Sequence, residues 1–405
     1  MEKKLRIGLI GYGARGRDLL PNAILPIPQT EVTAVCDRYP DRAEEGAQKV
    51  EELRGTRPAV FTDYRELLQN PQVDAVIVAA SWEAHVPITL DAMRAGKIVG
   101  CEVGGAFSVE ECWELVHTQE ATGTPVMLLE NCCYGRKELM VLNMVRQGLF
   151  GEIVHCQGGY RHDLRDEVSF GRENRHYRLN HYRNRNCENY PTHELGPIAK
   201  ILNLNHGNRM LTLTSTASCA KGLHEYLQRE KGPEYDLTHA EWKQGDVVTT
   251  VIRCAGGQTI VLTLDTTLPR YYSRGLHIQG TRGMYEEENQ SIFLDGVHNA
   301  YDFHWKDQWG NAEAYQEQYE HPIWKEFLKD GVSGGHGGMD GLVIGAFVRC
   351  ALSGAPMPID IYDMAAWMSI TALSERSIAM GGAPVEIPDF TGGRWLLPDW
   401  NAPEL

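Results

Sequence analysis

The chain has 405 residues, 42% hydrophobic and 23% charged, an ordinary globular composition too long for one core and suited to two domains. Its formal charge of −15 argues against nucleic acid or an anionic membrane as partner, since both select basic patches, and leaves a neutral ligand such as a sugar open.

The start, Met-Glu-Lys-Lys-Leu-Arg, shows no signal-type apolar region, cleavage site or twin arginine. No apolar run approaches the roughly 20 residues of a membrane helix. The ten cysteines are scattered, without a metal-type CxxC pair, and Cys132 and Cys133 are adjacent. This usage reads as reduced, mostly buried thiols of a cytoplasmic protein.

In chain order, residues 5–10 form an apolar run that ends on glycines, and 31–37 form a second strand ending in an acid. Residues 73–80, 97–102 and 125–130 follow as strands, with helical stretches at 41–53, 84–95 and 108–121. Buried strands alternating with helices of this length predict an α/β, doubly wound parallel sheet over residues 1–130. Beyond Glu130 a helix is expected at about 136–149, with Leu139, Leu142, Val145 and Leu149 on one face, leading into a strand over 152–159. Further strands at 210–216, 247–254, 258–265 and 275–279 lack intervening helices, which predicts a large, mostly antiparallel sheet in an α+β domain over 131–405. Residues 285–340 read as loop-rich, and a helix over 362–380, able to pack back on the first domain, precedes a Pro/Trp-rich tail.

Gly11-Tyr12-Gly13-Ala14-Arg15-Gly16 follows the first strand and opens a helix. Glycines there allow a tight turn and close approach of the backbone to a pyrophosphate, and the helix start faces the phosphate charge. Asp37 ends the second strand at the spacing of a ribose ligand. Its carboxylate would repel a 2′-phosphate, which favours NAD over NADP, although Arg15, Arg17 and Arg38 could hold such a phosphate. Trp82 and His85 follow the third strand, at the carboxyl end of the sheet, and suit either helix-start packing or contact with the cofactor.

These features resemble the Gfo/Idh/MocA oxidoreductase superfamily nearly end to end. Ordinary dehydrogenases of that superfamily carry Glu-Lys-Pro after the fourth strand, whereas this chain reads Glu102-Val103-Gly104; a valine cannot move protons. The departure is similar to glycoside hydrolase family 109, whose described activity is NAD-dependent α-N-acetylgalactosaminidase. The match is carried by Trp82 and His85, Glu102-Val103, Glu130-Asn131-Cys132-Cys133-Tyr134, the stretch from Gly158 to Arg165, Asn189-Tyr190-Pro191-Thr192-His193, the stretch from Pro269 to Arg274 and Gly335-His336-Gly337-Gly338-Met339-Asp340. The resemblance implies NAD contacts at Ala14, Arg15, Asp37, Trp82, His85, Glu102, Val103 and Asn131, and sugar contacts at Tyr160, Arg178, Tyr190, His193 and Tyr272.

It also implies a redox-assisted route. NAD takes hydride from sugar C3, the resulting ketone makes the C2 proton acidic, the aglycone leaves C1, water adds, and the hydride returns. That scheme asks the protein for two proton movers. His193 suits the C3 hydroxyl because histidine titrates near neutrality. Tyr160 is the candidate at C2, with Arg178 lowering its pKa or binding a substrate oxygen, and Glu130 binding a sugar hydroxyl or orienting His193. No metal is expected: His155, His162, His176 and His181 fit no compact ligand spacing and read as structural or solvated. The partner expected is a small glycoside, with neither nucleic acid nor membrane, and a homo-oligomer is possible by resemblance. A sugar dehydrogenase of the same fold and a non-catalytic NAD-dependent sugar sensor are the competing readings.

Overall fold

The computed structural model describes residues 3–397, 400 and 405. The first two residues of the expected start and residues 398, 399 and 401–404 of the Pro/Trp-rich tail lie outside the described residues. The chain divides into two compact units, one of Met1–Gly135, Glu326–Ala366 and Pro398–Leu405, the other of Arg136–Lys325 and Trp367–Leu397.

The first unit opens with β1 (Leu5–Ile10), α1 (Ala14–Leu19), β2 (Thr30–Cys36), α2 (Pro40–Arg54), β3 (Ala59–Phe61), α3 (Tyr64–Leu68), β4 (Ala75–Val78), α4 (Trp82–Arg94), β5 (Ile98–Cys101), α5 (Val109–Thr122) and β6 (Val126–Leu128). The strands form a sheet in the order β3-β2-β1-β4-β5-β6, and every neighbouring pair is parallel. Sequence order reverses between β1 and β4, so the segments that leave these two strands diverge and open the crevice in which doubly wound sheets bind ligands. All four residues of β4 are fully buried, as a strand covered on both faces requires. The edge strand β3, Ala59-Val60-Phe61, is largely solvent-facing and only three residues long.

The second unit contains α6 (Arg136–Arg146), β7 (Ile153–Arg161), α7 (Arg165–Ser169), α8 (Arg178–Asn184), α9 (Thr192–Ile201), β8 (Met210–Ala217), α10 (Gly222–Glu230), β9 (Val247–Cys254), β10 (Thr259–Asp265), β11 (His277–Gly280), β12 (Gly283–Glu286), β13 (Ser291–Leu294) and α11 (Ala312–Tyr319). Then come α12 (Pro322–Asp330), α13 (Met339–Ser353), α14 (Ile361–Ala379) and β14 (Val385–Glu386). The second sheet runs β13-β12-β11-β7-β10-β9-β8-β14. It is antiparallel except at the β7–β10 pair. Burial alternates along β9 and β10, which leaves one face inward and one outward. Helix α9 lies on β7 so closely that a Cβ on Gly158 would meet Glu194 Cβ at 2.5 Å.

Two expectations change. The stretch 285–340 is not mainly loop: it holds β13, α11 and α12 and the last two residues of β12, elements too short for periodicity to register. Residues 326–366, expected in the second domain, belong to the first unit. The cause is α13, whose Leu342, Val343, Ile344, Ala346 and Phe347 are buried against the Leu20–Ile24 segment, the Asn131–Tyr134 turn and β1. The Leu128 N–H also donates to the Ile359 carbonyl at 3.1 Å. No local pattern reports such long-range apolar burial.

Among the described residues no helix is long and apolar enough to cross a membrane and no disulfide forms; eight of the ten cysteines are buried.

The buried core of the first sheet sets a stability expectation. Ile77→Ala, in the middle of fully buried β4, should cost about 2–5 kcal/mol, read in chemical denaturation. Val251→Ala, on the outward face of β9 and 38% exposed, should stay within about 0.5 kcal/mol.

Candidate cofactor and sugar sites

In the first unit, β1 delivers the chain into the glycine turn. Gly11 has φ of +99°, and a Cβ there would meet the Ala79 carbonyl oxygen at 2.5 Å and the Ala80 nitrogen at 2.7 Å. Glycine is therefore required both by backbone conformation and by the close approach of the segment after β4. A Cβ on Gly16 would run into the Gly11 carbonyl, so this glycine lets α1 pack on the turn. A Cβ on Gly13 would find only open space, with Arg42 Nη1 nearest at 3.6 Å. The turn thus leaves room beside exposed backbone at the start of α1, as a pyrophosphate needs.

Asp37 is buried, and its two oxygens accept from the Tyr12 N–H at 2.7 Å and the Tyr39 N–H at 2.9 Å. The carboxylate is thereby fixed beside the glycine turn, with lone pairs left for ribose hydroxyls. Trp82 and His85 sit in the first turn of α4, both buried. His85 Nε2 lies 3.0 Å from the Ala80 carbonyl oxygen, and Trp82 lies against the backbone of Gly104, where a Cβ would meet its ring at 2.6 Å.

Arg15 gathers the remaining cofactor candidates. It bonds Glu102 through Nε at 3.1 Å and grips Asp340 with both terminal nitrogens, at 2.9 and 2.8 Å. Asn131 donates to the same Asp340 carboxylate at 2.8 Å, and Val103 N–H donates to Glu102 at 3.3 Å. Burial pushes the Glu102 carboxyl up, against the pull of Arg15. Burial works the same way on Asp340, but bonds from His336 and Arg15 outweigh it and hold that carboxyl well below the usual range.

Sequence reasoning quoted Asp340 inside a motif without giving it a role; its place is set by a contact 325 residues distant from Arg15. His336, in the left-handed region at φ +51°, sits 2.7 Å from Asp340. Asp18, His336 and Asp340 lie near enough to share an ion, yet Arg15 already pairs with both carboxylates and supplies the positive charge there. Glu130, expected as a sugar ligand, is fully buried and accepts the Cys132 N–H at 3.0 Å, capping the Asn131–Tyr134 turn.

In the second unit the predicted sugar residues converge. Tyr160 ends β7 and α9 brings His193, with ring centroids 5.4 Å apart. Tyr190 stands 4.3 Å from Tyr160 and 4.6 Å from His193. Tyr272, half exposed, closes the nest at 6.3 Å from Tyr160. Arg178, buried in the first turn of α8, pairs with Glu167 at 2.8 Å and lies 5.4 Å from the Tyr190 ring centre.

His162 borders the same nest, its ring 5.6 Å from that of Tyr160 and 5.1 Å from that of Tyr272. Expected to be structural or solvated, it holds Tyr160 Oη at 2.9 Å from its Nδ1. Burial first, then the charge of Arg178, lowers its pKa below the usual histidine value. A histidine so placed stays neutral to lower pH than usual. Its position two residues beyond Tyr160 was the available signal: both point to one face of the extended chain. Glu188 was also passed over. It is fully buried two residues before Tyr190, and burial pushes its carboxyl up to about 8.

Residues 5–129 match the oxidoreductase family with NAD-binding Rossmann fold, and residues 134–397 match the glycosyl hydrolase 109 C-terminal domain. A glycosyl hydrolase family 109 protein of Stenotrophomonas maltophilia is 41% identical, covering 97% of this chain and 90% of the relative. An α-N-acetylgalactosaminidase of Tannerella forsythia is 40% identical, covering 97% and 87%. Among solved structures, an inositol dehydrogenase homolog from Azotobacter vinelandii in complex with NAD+ superposes with a TM-score of 0.69 at 19% identity, covering 95% of this chain and 98% of that one; it shares the fold. With a cofactor half and a hydrolase half both matched and the glycine turn built to receive NAD, the chain belongs to glycosyl hydrolase family 109 and is an NAD-dependent glycosidase.

Proposed function

We propose that the protein hydrolyses N-acetylgalactosaminides or related hexosides by a redox-assisted elimination and addition. The single observation that supports this best is the nest of Tyr160, His162, Tyr190 and His193, which puts two proton-moving side chains 5.4 Å apart, ring centre to ring centre, in a chain whose other half receives NAD. The α-N-acetylgalactosaminide assignment rests on relatives of that name in Tannerella forsythia and Shewanella oneidensis.

Bound NAD, held by the Gly11–Gly16 turn, Asp37 and the Arg15 cluster, supplies reversible oxidation at sugar C3. His193 takes and returns the C3 hydroxyl proton. Tyr160 removes the C2 proton, and its own proton passes to His162 Nδ1, which the lowered pKa keeps available. The Arg178 charge favours the phenolate while the Tyr190 and Tyr272 rings line the sugar's place. A neutral small glycoside, with no nucleic acid or membrane partner, accords with the net charge of −15. We also propose a cytoplasmic homo-oligomer, the location in keeping with cysteines that form no disulfide.

A panel of p-nitrophenyl glycosides assayed in deuterated water tests the reading. Aglycone release with deuterium at C2 and no accumulating NADH is expected. Steady NADH without aglycone release would move the protein to the dehydrogenases, and silence in both would favour a sensor. His193→Ala and Tyr160→Phe should each lower turnover about 10²–10⁴-fold while NAD stays bound; an unchanged rate removes that residue from the mechanism. Asp37→Ala should weaken NAD about 10–100-fold in calorimetric titration, for the loss of charged hydrogen bonds.

The pH profile follows from His162. Its neutral form accepts the proton and its pKa is lowered, so turnover should persist at pH 6.5 and fall only at lower pH. Loss of this acid limb in His162→Ala, together with a lower rate, is the expected signature; an acid limb identical to that of the parent removes His162 from the relay.

A further inference from the structure

The segment that carries Tyr272 is fastened at several points. Arg161 and Ser273 exchange backbone hydrogen bonds of 3.2 and 3.0 Å, which pins this segment beside the end of β7 and therefore beside Tyr160. Glu287 accepts the Arg274 N–H at 3.4 Å and the Leu276 N–H at 2.7 Å.

The Arg274 side chain then reaches into the unit. Its guanidinium pairs with Glu138, in the first turn of α6, and through Nε with Glu194, in the first turn of α9, at 3.3 Å. Glu138 and Glu194 are 5% and 1% exposed, so water screens neither. Tyr285 closes the cluster from β12: its hydroxyl is buried with no hydrogen-bond partner among the described residues. Burial and then the nearby carboxylates, Glu138 first, push that phenol upward, so it adds no charge of its own.

Two buried carboxylates repel unless a cation stands between them, and a planar guanidinium can face both from one fixed position. One of them, Glu194, directly follows His193. Arg274 is itself two residues past Tyr272. One side chain thus ties the start of the His193 helix to the Tyr272 segment and to α6, without belonging to the nest of rings.

We infer that Arg274 is a positioning residue for the sugar site: it fixes His193 against Tyr272 and Tyr160. Its effect on turnover rests on the function proposed above; its effect on geometry does not. A shift of about 1 Å in a reacting group can cost about 10²-fold in rate, and that is the loss expected of Arg274→Met.

The test uses the full chain with NAD bound. In Arg274→Met, turnover of the p-nitrophenyl glycoside that the parent cleaves should fall about 10²-fold, with KM little changed and NAD affinity unchanged. Arg274→Lys keeps the charge without the fork and should recover part of the loss. In [15N]histidine-labelled protein, the His193 ring resonances, assigned by their absence from His193→Ala, should move in both variants. Should Arg274→Met fail to fold, Glu194→Gln preserves shape, removes one anchor and is expected to give the same two signatures. Parental turnover, or His193 resonances that do not move, would overturn the inference. A parent that cleaves no glycoside would sink the proposed function alone, since the resonances still decide the geometric claim.

Discussion

A single half-buried guanidinium organises the carboxyl end of the first sheet. Arg15 follows β1, Glu102 follows β5, Asn131 follows β6, and Asp340 begins α13; these segments meet because the Arg15 side chain bonds Glu102 and Asp340 while Asn131 bonds Asp340. Taking several charges out of water carries a large desolvation cost, offset only when hydrogen bonds satisfy nearly every lone pair. The near-complete burial of Asp340 is tolerable because Arg15 takes both its oxygens. Once that clasp exists, the glycine turn has a fixed floor, and the crevice where β1 and β4 diverge is held open by bonded groups on several sides.

The second unit solves a different problem. A phenol is a poor base near neutrality, with an ordinary pKa of about 10, so the proton removal proposed for Tyr160 asks for help from its neighbours. Two features supply it. His162 Nδ1 lies 2.9 Å from Tyr160 Oη, and burial and Arg178 lower its pKa; Arg178 itself, though paired with Glu167, remains a buried positive charge beside the rings. Each would be ineffective alone: an acceptor without nearby charge leaves the phenolate unstabilised, and a charge without an acceptor leaves the proton nowhere to go.

What was legible in the sequence was whatever is local. The strands through Ile10, Cys36 and Val78 were readable because parallel strands are apolar throughout, and Asp37 because its spacing from the glycine turn follows from one β-α-β crossover. The expected sugar residues Tyr160, Tyr190, His193 and Tyr272 were named through family resemblance, not through periodicity, since they come from a strand end, the chain just before α9, the first turn of α9 and a loop. Asp340 and His162 stayed hidden for separate reasons. Asp340 acts through a partner 325 residues away, and α13 joins the first unit through apolar burial that local pattern does not encode. His162 was grouped with other histidines on ligand spacing, when the informative relation was its two-residue offset from Tyr160 along an extended chain.

The residue at position 103 connects these strands of argument. The dehydrogenases this chain resembles place a lysine after the acid that here follows β5, where its ammonium can donate a proton and its neutral amine can accept one. Val103 is buried and apolar, and its own N–H is engaged by Glu102, so nothing at this position moves protons. Net dehydrogenation needs one proton relay at one carbon. Elimination from a glycoside needs two, at adjacent carbons, because the C2 proton must leave while the C3 oxygen is a carbonyl. A lone lysine beside the cofactor suits the first demand. On the proposed function, the separate histidine and tyrosine groups of α9 and β7 suit the second, and Val103 adds no proton donor of its own.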